Sequence, residues 1–224
     1  MHTGAFAIDT HTLYLEIIIL MATVWPSGFG YSLYAAWRGR PPVVTTGLLT
    51  TLAIPFLFAI PAVWMLRPGI FIFPPPRSVL WGLAVILAPI GLLIEYVVHV
   101  LPSFRQQDGF RRKLAIHSLW RTRLVPADHI LLAIIGIGEE IFYRLIWCSV
   151  LASLGIPVWW VLAISSAAYG VNHLALGPMS VISKTAVGML YGSLYLFGGS
   201  IWLPITTHVL QNVTFFGVMP KSDG

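Results

Sequence analysis

Apolar stretches separated by short polar breaks run along almost the whole chain. At roughly 20 residues per crossing, about seven of them are predicted membrane-crossing helices. The predicted spans lie near Leu13–Trp37, Val43–Leu66, Val79–Leu101, Ile130–Val150, Pro157–Asn172, Val181–Ser200 and Leu203–Met219. The pattern therefore predicts an all-α, polytopic transmembrane bundle of about seven spans, within a range of about six to eight.

Helix breakers interrupt several of these spans. They are the run Trp25-Pro26-Ser27-Gly28 and the prolines Pro55, Pro61 and Pro89. Breaks of this kind are tolerated where neighbouring helices or water satisfy the freed backbone groups. We therefore expect some spans to be kinked or re-entrant.

Composition agrees with a membrane protein, since 57% of the residues are hydrophobic and 9% are charged, against roughly 25% charged residues in soluble domains. The net charge is +5, but the basic residues mostly lie between apolar segments and form neither one groove nor a recognisable motif, so we expect no nucleic-acid partner. No Lys or Arg precedes the first apolar run, so we expect that run to be retained as a span. The single cysteine, Cys148, rules out an internal disulfide.

The long polar segment 102–128 sets the predicted orientation. It holds six basic residues, which are Arg105, Arg111, Arg112, Lys113, Arg121 and Arg123. The positive-inside rule places such a segment in the cytoplasm, and an amphipathic helix on the inner leaflet is an alternative for it. We therefore predict an integral multi-pass protein of the cell (inner) membrane.

Three ionisable residues, Glu139, Glu140 and Arg144, interrupt the apolar span Ile130–Val150. A charge near the bilayer centre costs at least ~2.5 to 3.5 kcal/mol. Residues four apart share a helix face, so Glu140 can pair with Arg144, while Glu139 points about 100° away around the axis. Taken alone, this run is compatible with catalysis, an interhelical lock or a proton path.

Two later spans carry polar pairs at the same spacing. Tyr169 and His173 are four residues apart, as are His208 and Asn212. Helix bundles build sites from side chains on facing helices, although an interhelical hydrogen bond is the alternative for either histidine alone. Since His208 closely follows the final turn on the opposite side of the membrane, a shared site requires the last segment to begin deep in the membrane or the preceding loop to dip inward.

Other polar residues within the spans are predicted to have structural positions. Glu95 and His99 are four apart in the third span, where a structural hydrogen bond or snorkelling to the interface is expected and lining of the same cavity is the alternative. Lys184 and Glu16 are expected at the membrane interface.

The motifs Glu-Glu-x-x-x-Arg, aromatic-x-x-x-His and His-x-x-x-Asn occur in this order, each in its own predicted span. Together they resemble the CAAX-protease and bacteriocin-processing family of intramembrane endopeptidases. The resemblance covers roughly residues 130–219, and one departure is Tyr169, where the family more often has Phe. It implies a protease core over residues 129–224, integrated in one membrane domain with N-terminal spans and the basic segment over 1–128.

By this resemblance, Glu139 and His173 activate a water, and His208 and Asn212 stabilise the oxyanion. Glu140, Arg144 and Tyr169 have supporting roles. No cofactor is required on this interpretation, and the alternative is a zinc ion held by Glu139, His173 and His208.

The substrate implied is a membrane-associated peptide or protein, with a prenylated C-terminal tail, a leader peptide and a sorting tail as candidates. The competing interpretation is a non-catalytic immunity or scaffold protein, or a proton-coupled transporter, that uses the same buried charges.

Overall fold

The computed structural model describes residues 9–39, 45–104 and 124–218, with the side chains of all but 100–104 and 215–218. Every regular element in these ranges is a helix, which confirms the all-α prediction. The α-helices are α1 Thr10–Thr23, α2 Pro26–Arg38, α3 Thr46–Leu66, α4 Ser78–Phe104, α5 Pro126–Glu140, α6 Trp147–Ser153, α7 Val158–Val171, α8 Pro178–Gly198 and α9 Trp202–Val218.

Capping residues mark the N-termini of two of these helices, α1 and α5. The side chain of Asp9 caps α1 by accepting the backbone N–H of Thr12 at 3.0 Å. At the start of α5, Pro126 occupies the first turn, and the Asp128 carboxylate accepts the N–H of Val125 at 2.9 Å. Both arrangements satisfy donors that a helix N-terminus leaves unpaired.

The first predicted span consists of two helices. α1 ends at Thr23 and α2 begins at Pro26, and their axes differ by 47°. Proline suits the first position of a helix because that position needs no N–H donor. The break turns the N-terminus of α2 towards the carboxylates on α5, since the Ser27 hydroxyl lies 3.3 Å from Glu139.

Two helices of the described ranges are long and apolar enough to cross a membrane, Thr46–Leu66 and Ser78–His99, and α1 with α2 would make a third if the bent pair is one span. α7 has only 14 residues and is about 21 Å long, against about 30 Å for the hydrocarbon core. Large apolar side chains cover the outside of the bundle, among them Met21, Phe58, Met65 and Val79. These features suit a membrane protein, but the count of about seven spans does not follow from them.

A single helical run passes through the centre of the bundle from Pro126 to Ser153. Its middle, Ile141–Ile146, is a π-helical segment that joins α5 to α6 and begins directly after Glu140. Such segments often occur at functional sites because the wider turn reorients the side chains around it. Every residue of the segment except Ile141 is buried.

Glycines allow the helices around this run to approach closely. A Cβ atom on Gly170 would lie 2.7 Å from the carbonyl oxygen of Val181, where α7 crosses α8. A Cβ on Gly138 would lie 2.6 Å from the Phe56 ring, where α5 crosses α3. Both distances are shorter than carbon contacts allow, so a larger residue would force the helices apart.

The turn between α8 and α9 is buried. Gly199 ends α8 with a φ of +68°, a left-handed conformation that favours glycine. Ser200 and Ile201 follow with no exposed surface, and the Ser200 hydroxyl donates to the carbonyl oxygen of Pro74 at 2.6 Å. The turn therefore lies inside the protein, and the depth of this turn in the membrane stays a prediction.

Glu16 and Lys184, both expected at the membrane interface, are mostly or fully buried in ion pairs. Glu16 is fully buried, where it forms an ion pair with Arg67 and accepts the Ser153 hydroxyl at 3.2 Å. Lys184 lies 2.6 Å from Glu95, and both side chains are mostly buried. A buried charge needs a partner, and here each partner lies more than 50 residues away in the chain.

The basic residues of the predicted cytoplasmic segment, at positions 105–123, lie outside the described residues. The division of the chain at residue 128 stays a prediction.

Candidate active site

Glu139 lies between the two histidines of the predicted site. Its Oε1 atom is 3.6 Å from Nε2 of His173, and its Oε2 atom is 3.7 Å from Nε2 of His208. His173 is the most accessible of the three, with 11% of its side chain exposed. The end of α5, the turn after α7 and the helix α9 thus bring these three side chains together.

Both histidines are oriented through Nδ1. In His173 this atom lies 2.9 Å from the carbonyl oxygen of Tyr169, and in His208 it lies 2.9 Å from Oε1 of Glu140. Carbonyl and carboxylate oxygens only accept hydrogen bonds, so we assign the Nδ1 proton to both rings. Each Nε2 atom therefore faces Glu139, with a lone pair in the neutral ring or with an N–H in the imidazolium.

Glu140 connects His208 to Arg144. Its Oε2 atom lies 3.1 Å from Nε of Arg144, and neither side chain has any exposed surface. The guanidinium carbon also lies 4.9 Å from the centre of the Tyr169 ring, a cation–π contact. The expected Glu140–Arg144 pair is present, and the same carboxylate also orients a histidine.

Aromatic rings pack around the two imidazoles. The ring centre of Tyr169 lies 5.0 Å from that of His173 and 6.1 Å from that of His208, both edge to face. Tyr191 lies 5.5 Å from the His208 ring on another side. These buried contacts restrict how far either imidazole can rotate.

Asn212 lies one helical turn after His208, at the edge of the site. A Cβ atom on Gly136 would be 3.2 Å from its amide nitrogen and 3.7 Å from the His208 ring. Gly136 therefore leaves room for both side chains beside α5. Asn212 is half-buried, and no described residue forms a hydrogen bond with its amide.

Two residues outside the predicted set also contact Glu139. The Asn172 amide nitrogen lies 3.0 Å from Oε1, and the Ser27 hydroxyl lies 3.3 Å from the same oxygen. In the sequence, Asn172 is an amide next to a histidine at the end of an apolar span, which was a usable signal. Ser27 lies in a helix break, and nothing in its sequence position indicates a contact with Glu139, which is 112 residues away.

A second polar cluster adjoins the site. Gln211 donates to Oε1 of Glu95 at 2.7 Å, the oxygen that also accepts Lys184, and the Tyr191 hydroxyl donates to Gln211. His99 bonds to the backbone oxygen of Glu95 at 2.8 Å, as the structural interpretation of that pair expected. The cluster ties α4, α8 and α9 together beside His208.

The formal charges of the inner site sum to minus one when both histidines are neutral and the carboxylates of Glu139 and Glu140 are ionised beside the guanidinium of Arg144. Uptake of one proton makes the group neutral, which suits proton transfer. Among the described residues, no three His, Cys, Asp or Glu side chains are arranged to hold a metal ion.

Comparison with known proteins adds one finding. No curated protein and no solved structure matches the chain. Residues 123–214 match the family model described as Type II CAAX prenyl endopeptidase Rce1-like. That segment contains Glu139, Glu140, Arg144, Tyr169, His173, His208 and Asn212. The match confirms the resemblance to the CAAX-protease and bacteriocin-processing family and suggests intramembrane protease activity.

Proposed function

We propose that this chain is an intramembrane endopeptidase that hydrolyses a peptide bond of a membrane-associated peptide or protein. The observation that carries the proposal is the position of Glu139, a buried carboxylate within 3.7 Å of two imidazole Nε2 atoms. A carboxylate beside two oriented histidines can take up and release protons. The candidate substrates are a prenylated C-terminal tail, a leader peptide and a sorting tail.

In the first step, Glu139 and His173 activate a water molecule. A water beside Glu139 and Nε2 of His173 can donate one hydrogen bond to each. As its oxygen attacks the peptide carbonyl carbon, one proton passes to Glu139 and the carbonyl oxygen becomes an oxyanion. No side-chain nucleophile is involved, so no covalent enzyme intermediate forms.

His208 and Asn212 stabilise that oxyanion. The Asn212 amide donates an N–H directly. Because Nδ1 of His208 already donates to Glu140, Nε2 can donate only when the ring is protonated. The proton held by Glu139 then passes to the leaving nitrogen as the C–N bond breaks.

The proposed chemistry uses no metal ion. A zinc ion held by Glu139, His173 and His208 is the alternative mechanism, and it would require these side chains to move, because their arrangement in the structure does not form a three-ligand site. Metal analysis of the purified protein and cleavage after treatment with a chelator test this part of the proposal. Undiminished cleavage by metal-free protein is expected.

We further propose that the chain crosses the inner membrane about seven times, with broken or short segments around the site. Labelling of single cysteines from either side, in a Cys148→Ala background, tests the orientation. Cysteines in the basic segment should react from the cytoplasm. A cysteine at Ser200 should react from neither side, since this residue is buried.

The activity itself is tested with purified protein in lipid vesicles and a panel of prenylated and leader-type peptides. Wild type should cleave at least one class, and Glu139→Gln should cleave none. His129→Ala is the matched control, because His129 lies near the start of α5 and bonds to the backbone oxygen of Val125. Failure of the wild type on every peptide, or equal cleavage by folded Glu139→Gln, would contradict the proposal and favour a non-catalytic or transport role.

A further inference from the structure

The contact between Ser27 and Asn172 joins the N-terminal helices to the active site. Asn172 is 1% exposed and follows α7 directly before His173. Ser27 lies in the first turn of α2, well outside the segment 123–214 that matches the protease family. Side chains from both halves of the chain therefore converge on Glu139.

The hydrogen bonds fix the orientation of the Asn172 amide. Its Oδ1 atom accepts the backbone N–H of Ser27 at 2.8 Å. A backbone N–H can only donate, so the atom facing it must be the oxygen. The nitrogen then faces Glu139, to whose Oε1 it donates at 3.0 Å.

The Ser27 hydroxyl completes the arrangement. It accepts a second hydrogen bond from the Asn172 amide at 2.8 Å. Its own proton is then free for Oε1 of Glu139 at 3.3 Å. Within this group of three residues, each N–H and O–H of Ser27 and of the Asn172 amide has an acceptor. The Glu139 carboxylate accepts hydrogen bonds and donates none.

The Ser27–Asn172 pair makes the two carboxylate oxygens of Glu139 inequivalent. Oε1 accepts both donors, whereas no described residue donates to Oε2. The amino-terminal end of α2, where the helix dipole is positive, also lies beside this carboxylate and favours its negative charge. The pair thus fixes the carboxylate through Oε1, the oxygen 3.6 Å from Nε2 of His173, and leaves Oε2, which lies 3.7 Å from Nε2 of His208, able to take the proton.

We propose that Ser27 and Asn172 are positioning residues that hold the Glu139 carboxylate for water activation. The proposal rests on the proposed peptidase function. It assigns a part in catalysis to the break between α1 and α2, because only that break places Ser27 beside Asn172. Neither residue needs to touch the substrate.

Kinetics of single variants test the proposal. Asn172→Ala and Ser27→Ala should each lower kcat by about 10- to 100-fold, with KM within about twofold of wild type, because the base is misplaced and substrate binding is not. Ser27→Thr keeps a hydroxyl and should recover most of the activity lost in Ser27→Ala. Ser32→Ala, an exposed serine on the same helix, is the control and should behave as wild type.

The double variant separates a shared role from two independent ones. Because Asn172 and Ser27 act through one network, the double variant should be little worse than the worse single variant. If wild type cleaves and Glu139→Gln does not, the peptidase function stands. Full kcat in folded Asn172→Ala and Ser27→Ala would then overturn the positioning role alone.

A cross-link tests the contact without any substrate. In a Cys148→Ala background, a short flexible thiol-to-thiol cross-linker should join Ser27→Cys to Asn172→Cys, because these two residues are in hydrogen-bond contact. It should not join the exposed Ser32→Cys to Asn172→Cys. A folded protein in which the second pair is joined and the first is not would overturn the proposal, whatever the peptide panel shows.

Discussion

The carboxylate of Glu140 lies between His208 and Arg144. Its Oε1 atom is 2.9 Å from Nδ1 of His208, and its Oε2 atom is 3.1 Å from Nε of Arg144. All three side chains are buried. One acidic residue therefore neutralises a buried cation and orients a histidine of the proposed site.

This relationship predicts a large stability loss when Arg144 is replaced. Arg144→Met leaves Glu140 buried without its cation, which should destabilise the protein by about 3 to 5 kcal/mol. Thermal unfolding in detergent measures the effect. The double variant Glu140→Gln with Arg144→Met removes both charges and should recover part of the loss, whereas a double variant less stable than Arg144→Met would contradict this explanation.

Replacement of the proposed oxyanion donors should affect the rate and not the fold. His208→Ala and Asn212→Ala are each expected to lower kcat by about 10² to 10³-fold, since each removes a donor to the developing negative charge. Steady-state cleavage measures the loss, and thermal unfolding checks that the helices remain intact. Unchanged cleavage in both variants would remove these residues from that role.

Close packing at Gly170 predicts sensitivity to a single methyl group. A Cβ at this position would meet Thr185 of α8 and the backbone oxygen of Val181, so Gly170→Ala should destabilise the protein by about 1 to 3 kcal/mol. Gly82→Ala is the matched control, because nothing lies within 4 Å of a Cβ there. It should be neutral or slightly stabilising, because alanine favours a helix. Equal unfolding temperatures for the two variants would contradict the close α7–α8 approach.

The Glu95–Lys184 pair should show coupling in a double-mutant cycle. Lys184→Met leaves Glu95 without its cation, and we expect a cost of about 1 to 3 kcal/mol. Adding Glu95→Gln should reduce that cost, because the unpaired charge is then removed. Purely additive effects on unfolding would show that the two charges do not interact.

Much of the site could be predicted from spacing within single helices. Tyr169 with His173, and His208 with Asn212, are four residues apart, and four-residue spacing places side chains on one face. The Glu140–Arg144 pair followed from the same rule, even though a π-helical segment begins between these residues. Local periodicity therefore identified which residues could act together.

Contacts between distant parts of the chain could not be predicted in this way. Ser27 reaches Glu139 only because α1 and α2 meet at 47°, and no spacing rule gives that angle. Lys184 was expected at the interface because a lone charge in an apolar span favours the membrane surface. Its partner Glu95 lies 89 residues away, so the pair becomes visible only when the helices pack together.

The measurement that tests the central claim most directly is the cleavage rate of Glu139→Gln in lipid vesicles, on a peptide that wild type cleaves. Glutamine keeps the size of the side chain and removes its ability to take a proton. A fall in kcat of about 10² to 10⁴-fold, with thermal unfolding close to wild type, is the predicted result. A folded Glu139→Gln protein with the wild-type rate would contradict the account.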